Sequence, residues 1–298
     1  ILAIFKDILP SYRIRVPTVQ EMAVKVSKET KKLWDYERAL LHHYQVFLKL
    51  LEKTFDDKSS TLGTVSVTAM ISMAELLKSA YHFNFRSYLI TAVVRQMNAK
   101  KASVRDACCE AVQYVFANDA QGEVALETAR QVAKVIKDRG FQVQAQALKT
   151  FLSLPLRVHA DEAEAAKLAA SANAKKRKRD KETAQIESEL REGQSTVDKL
   201  ILARCQSDTL QAVILTYFRI LKADNLKSSH IKELLPAALE GLAKYVHLIN
   251  IDTVMDLLAV FKDLLKRVDT IPLDSALNCI LTAFTTLQGP GRELKIDP

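Results

Sequence analysis

EMAVKVSKETKKLWDYERALLHHYQVFLKLLEKT, running from Glu21 to Thr54, contains neither glycine nor proline, and its reading decides the fold class. Leu33, Leu40, Tyr44, Phe47 and Leu51 are separated by seven, four, three and four positions, the spacing of a helix face that buries against a partner helix. Lys28, Lys31, Lys32, Arg38 and Lys49 largely fall off that seam. The pattern predicts one long helix over 21–54, preceded by a short helix, Ile1 to Leu9, that Pro10 and Pro17 bring to an end.

Beyond the polar bridge Asp56 to Ser60, apolar runs predict helices at about 61–80, 84–98, 102–118, 121–139 and 142–152. Asn84 and Ser103 can cap helix starts, Asn118-Asp119 makes a turn, and Gly140 supplies a left-handed residue after Arg139. Helix pairs beginning near 61, 102 and 142 recur every 40 residues or so, inside the roughly 40–47 of HEAT and armadillo repeats. A second series is expected at about 205–223, 229–249, 250–268 and 273–288, with Asn250 and Ile271-Pro272 marking turns. Pro236 deletes one helical hydrogen bond, which predicts a kink or a helix start near it. Seven glycines and seven prolines are too few turn formers for a many-stranded β protein. The expected fold is all-α: a right-handed α-solenoid of HEAT/armadillo-like hairpins with a long N-terminal helix. Three segments are expected. Residues 1–154 form an N-terminal helical-repeat segment, 155–196 a basic, alanine- and charge-rich insertion without aromatics, and 197–298 a second helical-repeat segment.

Composition narrows function. The formal charge of +8 favours polyanionic partners. No uncharged apolar run reaches the roughly 18 residues of a membrane span, and the opening resembles no signal peptide, so no membrane association is expected. Cys108, Cys109, Cys205 and Cys279 include no C-x-x-C pair, which fits a reduced compartment. No two of the six histidines lie at the i,i+3 or i,i+4 spacing of paired metal ligands, and no Walker loop, dinucleotide-binding glycine pattern, H-E-x-x-H or nucleophile elbow is present. The expectation is a protein without catalytic residues, cofactor or metal. A start at Ile1 without methionine reads as a fragment.

Three groups remain as binding candidates, each with a plainer reading beside it. Lys175, Lys176, Arg177, Lys178, Arg179 and Lys181 form a dense positive run that suits a nuclear localisation signal, or else a solvated charged helix. Lys6, Tyr12, Arg13, Arg15, Lys25, Lys28, Lys31 and Lys32 place cations beside one aromatic on a connection held by two prolines. They are nucleic-acid candidates, or ordinary exposed charges. Tyr81, Phe83, Phe85 and Tyr88 can be a protein-docking surface, or core residues plugging a turn between helices.

Several segments resemble the nucleolar complex-associated protein 3 family. AIFKDILPSYRIR from Ala3 and VSKETKKLWDYERALLHHYQVFLKLLE from Val26 to Glu52 look like its signature block. TYFRILK from Thr216 and LLPAALEGLAKYVHLINID from Leu234 to Asp252 resemble its later repeats, and a basic insertion precedes them. The resemblance implies a nuclear and nucleolar, non-enzymatic scaffold in large ribosomal subunit (pre-60S) biogenesis. Such a scaffold would bind precursor rRNA and nucleolar complex-associated protein 2 on precursor particles. It also implies a family extending past both ends of this chain. A replication-licensing adaptor meeting origin recognition and minichromosome maintenance proteins is the alternative, and a helical-repeat nuclear transport receptor the third reading.

Overall fold

The computed structural model describes residues 1–18, 21, 26–56, 63–157, 183–223, 229–266 and 273–288. Every regular element among them is helical, so the all-α class is established. The helices are α1 (Leu2–Ile8), α2 (Lys28–Asp56), α3 (Gly63–Ala80), α4 (Arg86–Gln96), α5 (Ala102–Asn118), α6 (Glu123–Asp138), α7 (Ala145–Lys149), α8 (Thr183–Leu221), α9 (Ser229–Tyr245), α10 (Ile251–Leu265) and α11 (Leu273–Gln288). They form two compact units, Ile1–Val115 and Phe116–Pro298, divided within α5.

In the first unit α3 is the central helix, contacting α1, α2 and α4. It buries Met70, Met73, Ala74, Leu76 and Leu77, while α4 contributes Leu89, Ile90, Val93 and Val94. The expected seam of α2 is shorter than its sequence suggested. Leu40, Tyr44, Phe47 and Leu51 are buried, but Leu33 is 50% exposed. The helix also starts later than Glu21. Val26 and Ser27 are not helical, and the Ser27 hydroxyl oxygen accepts the Thr30 N–H at 3.1 Å, taking up one of the donors that a helix start leaves unpaired.

In the second unit α8 packs on α6 and α9, and α9 also contacts α7 and α11. Asp119 closes the start of α6 by accepting the Ala125 N–H at 2.8 Å. The helix expected at 142–152 is instead the five-residue α7 followed by a 3-10 turn, Thr150–Ser153. The helix expected from 205 begins at Thr183, inside the expected insertion, as that segment's helix-favouring alanine, lysine and glutamate permit. Pro236 lies inside α9 and neither starts nor ends it. On α11 the buried residues are small, Ser275, Ala276, Cys279, Thr282 and Thr286, whereas Leu273, Leu277, Leu281 and Phe284 are exposed.

The centre of the second unit is a chain of rings: Phe116 against Phe151 at 6.1 Å, and Phe151 against Tyr217 at 6.1 Å. The Tyr245 hydroxyl lies 2.6 and 3.0 Å from the carbonyl oxygens of Phe151 and Leu154, where its one proton is donated. Tyr217 is fully buried, and its hydroxyl has no hydrogen-bond partner among the described residues. It lies against Gly241 of α9, where an added β-carbon would fall inside the phenol ring and hydroxyl. Glycine is thus what lets α9 approach α8. Gly241→Ala should therefore lower stability by about 1–3 kcal/mol, the usual cost of overpacking. Tyr217→Phe, which removes only an unpaired hydroxyl, should change it by less than about 1 kcal/mol. Urea titration followed by circular dichroism checks both.

Candidate nucleic-acid and protein contact surface

The cationic and aromatic candidates of the first unit meet around one anchored connection. Phe5 of α1 stacks on Phe47 at 4.9 Å and tilts against Tyr44 at 5.5 Å. Tyr44 in turn meets Phe83 edge-on at 5.5 Å and Phe85 at 6.2 Å. Aromatic pairs at these separations contribute beyond simple area burial, and here they join α1, α2 and the turn before α4. Burial raises the Tyr44 phenol well above its ordinary pKa, so it stays neutral.

The extended chain after α1 is held by a side chain expected to do something else. Asn84 does not cap α4. Phe85 occupies that N-cap position in a left-handed conformation, φ 64°, and makes no side-chain cap bond. The Asn84 amide instead faces Ile14: its oxygen accepts the Ile14 N–H at 2.9 Å and its nitrogen donates to the Ile14 carbonyl at 3.0 Å. Ile14 itself is buried. A ring nitrogen of His82 lies 3.3 Å from the Pro10 carbonyl oxygen, adding a second tether.

This anchoring sorts the nucleic-acid candidates. Lys6 pairs with Glu75 at 3.5 Å, Tyr12 donates its hydroxyl to Glu37 at 2.8 Å, and Arg15 pairs with Glu21 at 2.6 Å. The hydrogen bond to Glu37 raises the Tyr12 phenol above its ordinary pKa. The backbone N–H of Thr18 leads the contacts that hold the Glu21 carboxyl below the usual range. Glu75 is likewise lowered, chiefly by its hydrogen bond from Lys78, which also reaches Glu110 of α5 at 2.7 Å. Arg13, Lys28, Lys31 and Lys32 are exposed and have no ion pair among the described residues. The last three sit at i, i+3 and i+4 on the first turns of α2, on neighbouring parts of its surface. Lys25 lies outside the described residues, as does the whole run Lys175 to Lys181.

The aromatic candidates divide too. Phe83 is fully buried, while Tyr81, Phe85 and Tyr88 are half-buried. The Tyr88 hydroxyl donates to Glu52 of α2. Sequence reasoning missed Asn84 and Glu37, whose roles depend on residues far away in the chain.

No group of three or more His, Cys, Asp or Glu side chains suited to a metal occurs among the described residues, and no described helix is long and apolar enough to cross a membrane. Burial pushes the Cys108 and Cys109 thiols up to about 12 and Cys279 to about 11. Such thiols are protonated at neutral pH and are not activated nucleophiles.

A protein of paired helices with a pinned, cation-bearing N-terminal connection is thus the class that fold and site define. The model of the nucleolar complex-associated protein family matches residues 1–47, the part that forms this surface. The chain is 35% identical over 326 residues to a nucleolar complex protein 3 homolog of Cricetulus griseus and 34% identical over 326 residues to that of Homo sapiens. All of this chain and 40% of each relative are covered. Nucleolar complex-associated protein 3 of Schizosaccharomyces pombe is 32% identical over 321 residues, with 98% of this chain and 42% of the relative covered. The chain is related over its whole length to the nucleolar complex-associated protein 3 family. It spans about 40% of the length of the curated relatives it matches. These relationships indicate a nuclear, nucleolar address, and the relatives are named as nucleolar complex proteins, names that are not those of enzymes.

The Asn84 clamp has a direct test. Asn84→Ala leaves the buried N–H and C=O of Ile14 without their two partners, at roughly 1 kcal/mol for each bond. Limited trypsin digestion should then cut after Arg13 or Arg15 about tenfold faster than in the unaltered chain, with little change in cleavage elsewhere.

Proposed function

We propose that this chain is part of a non-catalytic scaffold for large ribosomal subunit precursors, holding precursor rRNA on the basic N-terminal surface of its first unit and a partner nucleolar complex protein elsewhere. The carrying observation is the pinned connection that presents Arg13 beside a long helix with Lys28, Lys31 and Lys32 exposed. A fixed set of cations pays less ordering entropy on binding a polyanion than the same charges on a loose tail. Nucleolar complex-associated protein 2 is the partner that the family resemblance suggests. The scaffold's contribution is geometric: it keeps an assembly intermediate in one arrangement and changes no covalent bond.

Lys6 and Arg15 are already paired with carboxylates, so fewer cations are available than the eight-residue candidate set suggests. Four phosphate contacts on single-stranded RNA correspond to a slope of about −3 in log affinity against log salt. Converting Lys28, Lys31 and Lys32 together to glutamate should flatten that slope by about 2 and weaken binding across sequences. Fluorescence anisotropy with precursor rRNA fragments measures this; binding that ignores salt excludes the reading. Crosslinking in cells, followed by sequencing of attached nucleic acid, separates the rivals. Precursor rRNA reads support assembly, and replication-origin reads support the licensing alternative.

The run Lys175 to Lys181 is proposed as the nuclear import signal, because five consecutive cations suit an acidic import receptor. Replacing Lys175, Lys176, Arg177, Lys178 and Arg179 with alanine should abolish nuclear accumulation of a fluorescent fusion of this chain. Unchanged entry would show that another segment carries the signal.

A further inference from the structure

The second unit contains an open groove of about 1100 Å3 beside the C-terminal half of α8 and the starts of α9 and α10. Its apolar floor includes the buried Ile214, Ile231 and Ile249. Leu215, which also lines it, is 47% exposed and stands open to a partner. Arg219 and Lys222 follow on the same helix face, one turn and two turns further on, and His230 lines the groove from α9. Lys222 stands over the Phe218 ring, 5.8 Å from its centroid. Neither Arg219 nor Lys222 has an ion-pair partner among the described residues. Asp256 is the one carboxylate among the described lining residues.

One wall is rigid. Gly140 and Phe141 are consecutive left-handed residues, φ 57° and 64°, fixed by hydrogen bonds from their N–H groups to the carbonyls of Lys137 and Ile136 at 2.9 and 3.1 Å. The two bonds close the C-terminus of α6 in the ordinary way, and a left-handed phenylalanine is uncommon. Here the turn holds an aromatic residue at the groove's edge.

We propose that this groove receives one helical segment of a partner protein, with large aliphatic or aromatic side chains at i, i+4 and i+7 and carboxylates on the flank that meets Arg219 and Lys222. Charge complementarity selects an acidic occupant, and the aliphatic floor of Ile214, Ile231 and Ile249 suits apolar side chains inserted from a peptide helix. The volume is at the top of the roughly 300–1,000 Å3 of small-molecule pockets, and the open, elongated lining along α8 suits a helix laid in a groove, with its anchors inserted along one face. The inference stands on the second unit alone and goes beyond the rRNA-holding role assigned to the first.

The test is a selection of phage-displayed random 16-residue peptides on the 298-residue chain, with Leu215→Asp and Lys222→Glu as counter-targets. Both positions are exposed, so both variants should melt like the parent, which circular dichroism verifies. Enriched peptides should carry apolar residues at helical spacing together with Asp or Glu. A synthetic copy of an enriched peptide should lose at least tenfold in affinity on either variant and none on Lys28→Glu of the first unit. Three results would overturn the inference: no enrichment, enriched peptides that bind the variants equally well, or a labelled 12-nucleotide RNA that binds the parent and is lost on the same two substitutions. Each of these leaves the salt-dependent RNA binding of the first unit untouched.

Discussion

Tyr44 is the side chain on which the N-terminal surface depends. It is fully buried in the middle of α2 and touches Phe5, Phe83 and Phe85. These come from two other stretches of chain, so one ring fixes where α1 lies, where the turn before α4 lies, and therefore where the connection between α1 and α2 runs. The contact is apolar and needs no pH or salt condition. Its one unfavourable feature is the Tyr44 hydroxyl, which has no hydrogen-bond partner among the described residues. That carries a cost of about 1–3 kcal/mol, of the same order as the gain from burying one large side chain. The ring contacts and the ring's packing must together exceed it.

The ion pairs around the connection cannot do the same job. Lys6–Glu75 and Arg15–Glu21 join side chains that are largely solvent-accessible, and exposed pairs typically contribute 0–1 kcal/mol and weaken with salt. Their effect is on the field rather than the fold. Each removes one cation from the set able to meet a polyanion, leaving Arg13, Lys28, Lys31 and Lys32 to project charge. Apolar and amide contacts thus set the backbone, carboxylates tune the surface, and the two can be changed separately.

How much was legible beforehand follows from the range of each interaction. The bounds of α11, expected at 273–288, match those observed because its signals are local, a proline before it and a Gly-Pro-Gly after it. Gly140 was readable for the same reason. Leu33 was misplaced on the seam because periodicity shows which face is apolar but not how far along a 29-residue helix a partner extends. Asn84 was read as a cap, the usual local use of asparagine, whereas its amide bonds a residue 70 positions away. The early start of α8 follows from weak helix-boundary signals in charged, alanine-rich sequence, and the late start of α2 from Ser27, whose hydroxyl takes up the Thr30 N–H. The groove was invisible for a further reason: its lining residues come from four stretches between Gly140 and Asp256, each unremarkable by itself.

The two basic surfaces differ in what lies beneath the charge, and that difference governs what each can hold. On the first unit the exposed lysines stand on the opening turns of α2, ahead of the buried stripe that starts at Leu40. A partner there gains mainly by releasing counterions, which makes binding strong at low salt and indifferent to sequence. In the second unit the cations border a floor of isoleucines. A partner there gains by burying the exposed part of Leu215 and the remaining apolar lining, at roughly 25 cal/mol per Å2, a term that salt does not screen. Charge in that position steers and orients the partner. The two roles proposed above, one polyanionic and one peptidic, call for surfaces that do not compete for the same ligand. Bare cations on one unit and cations around an apolar floor on the other supply such a pair.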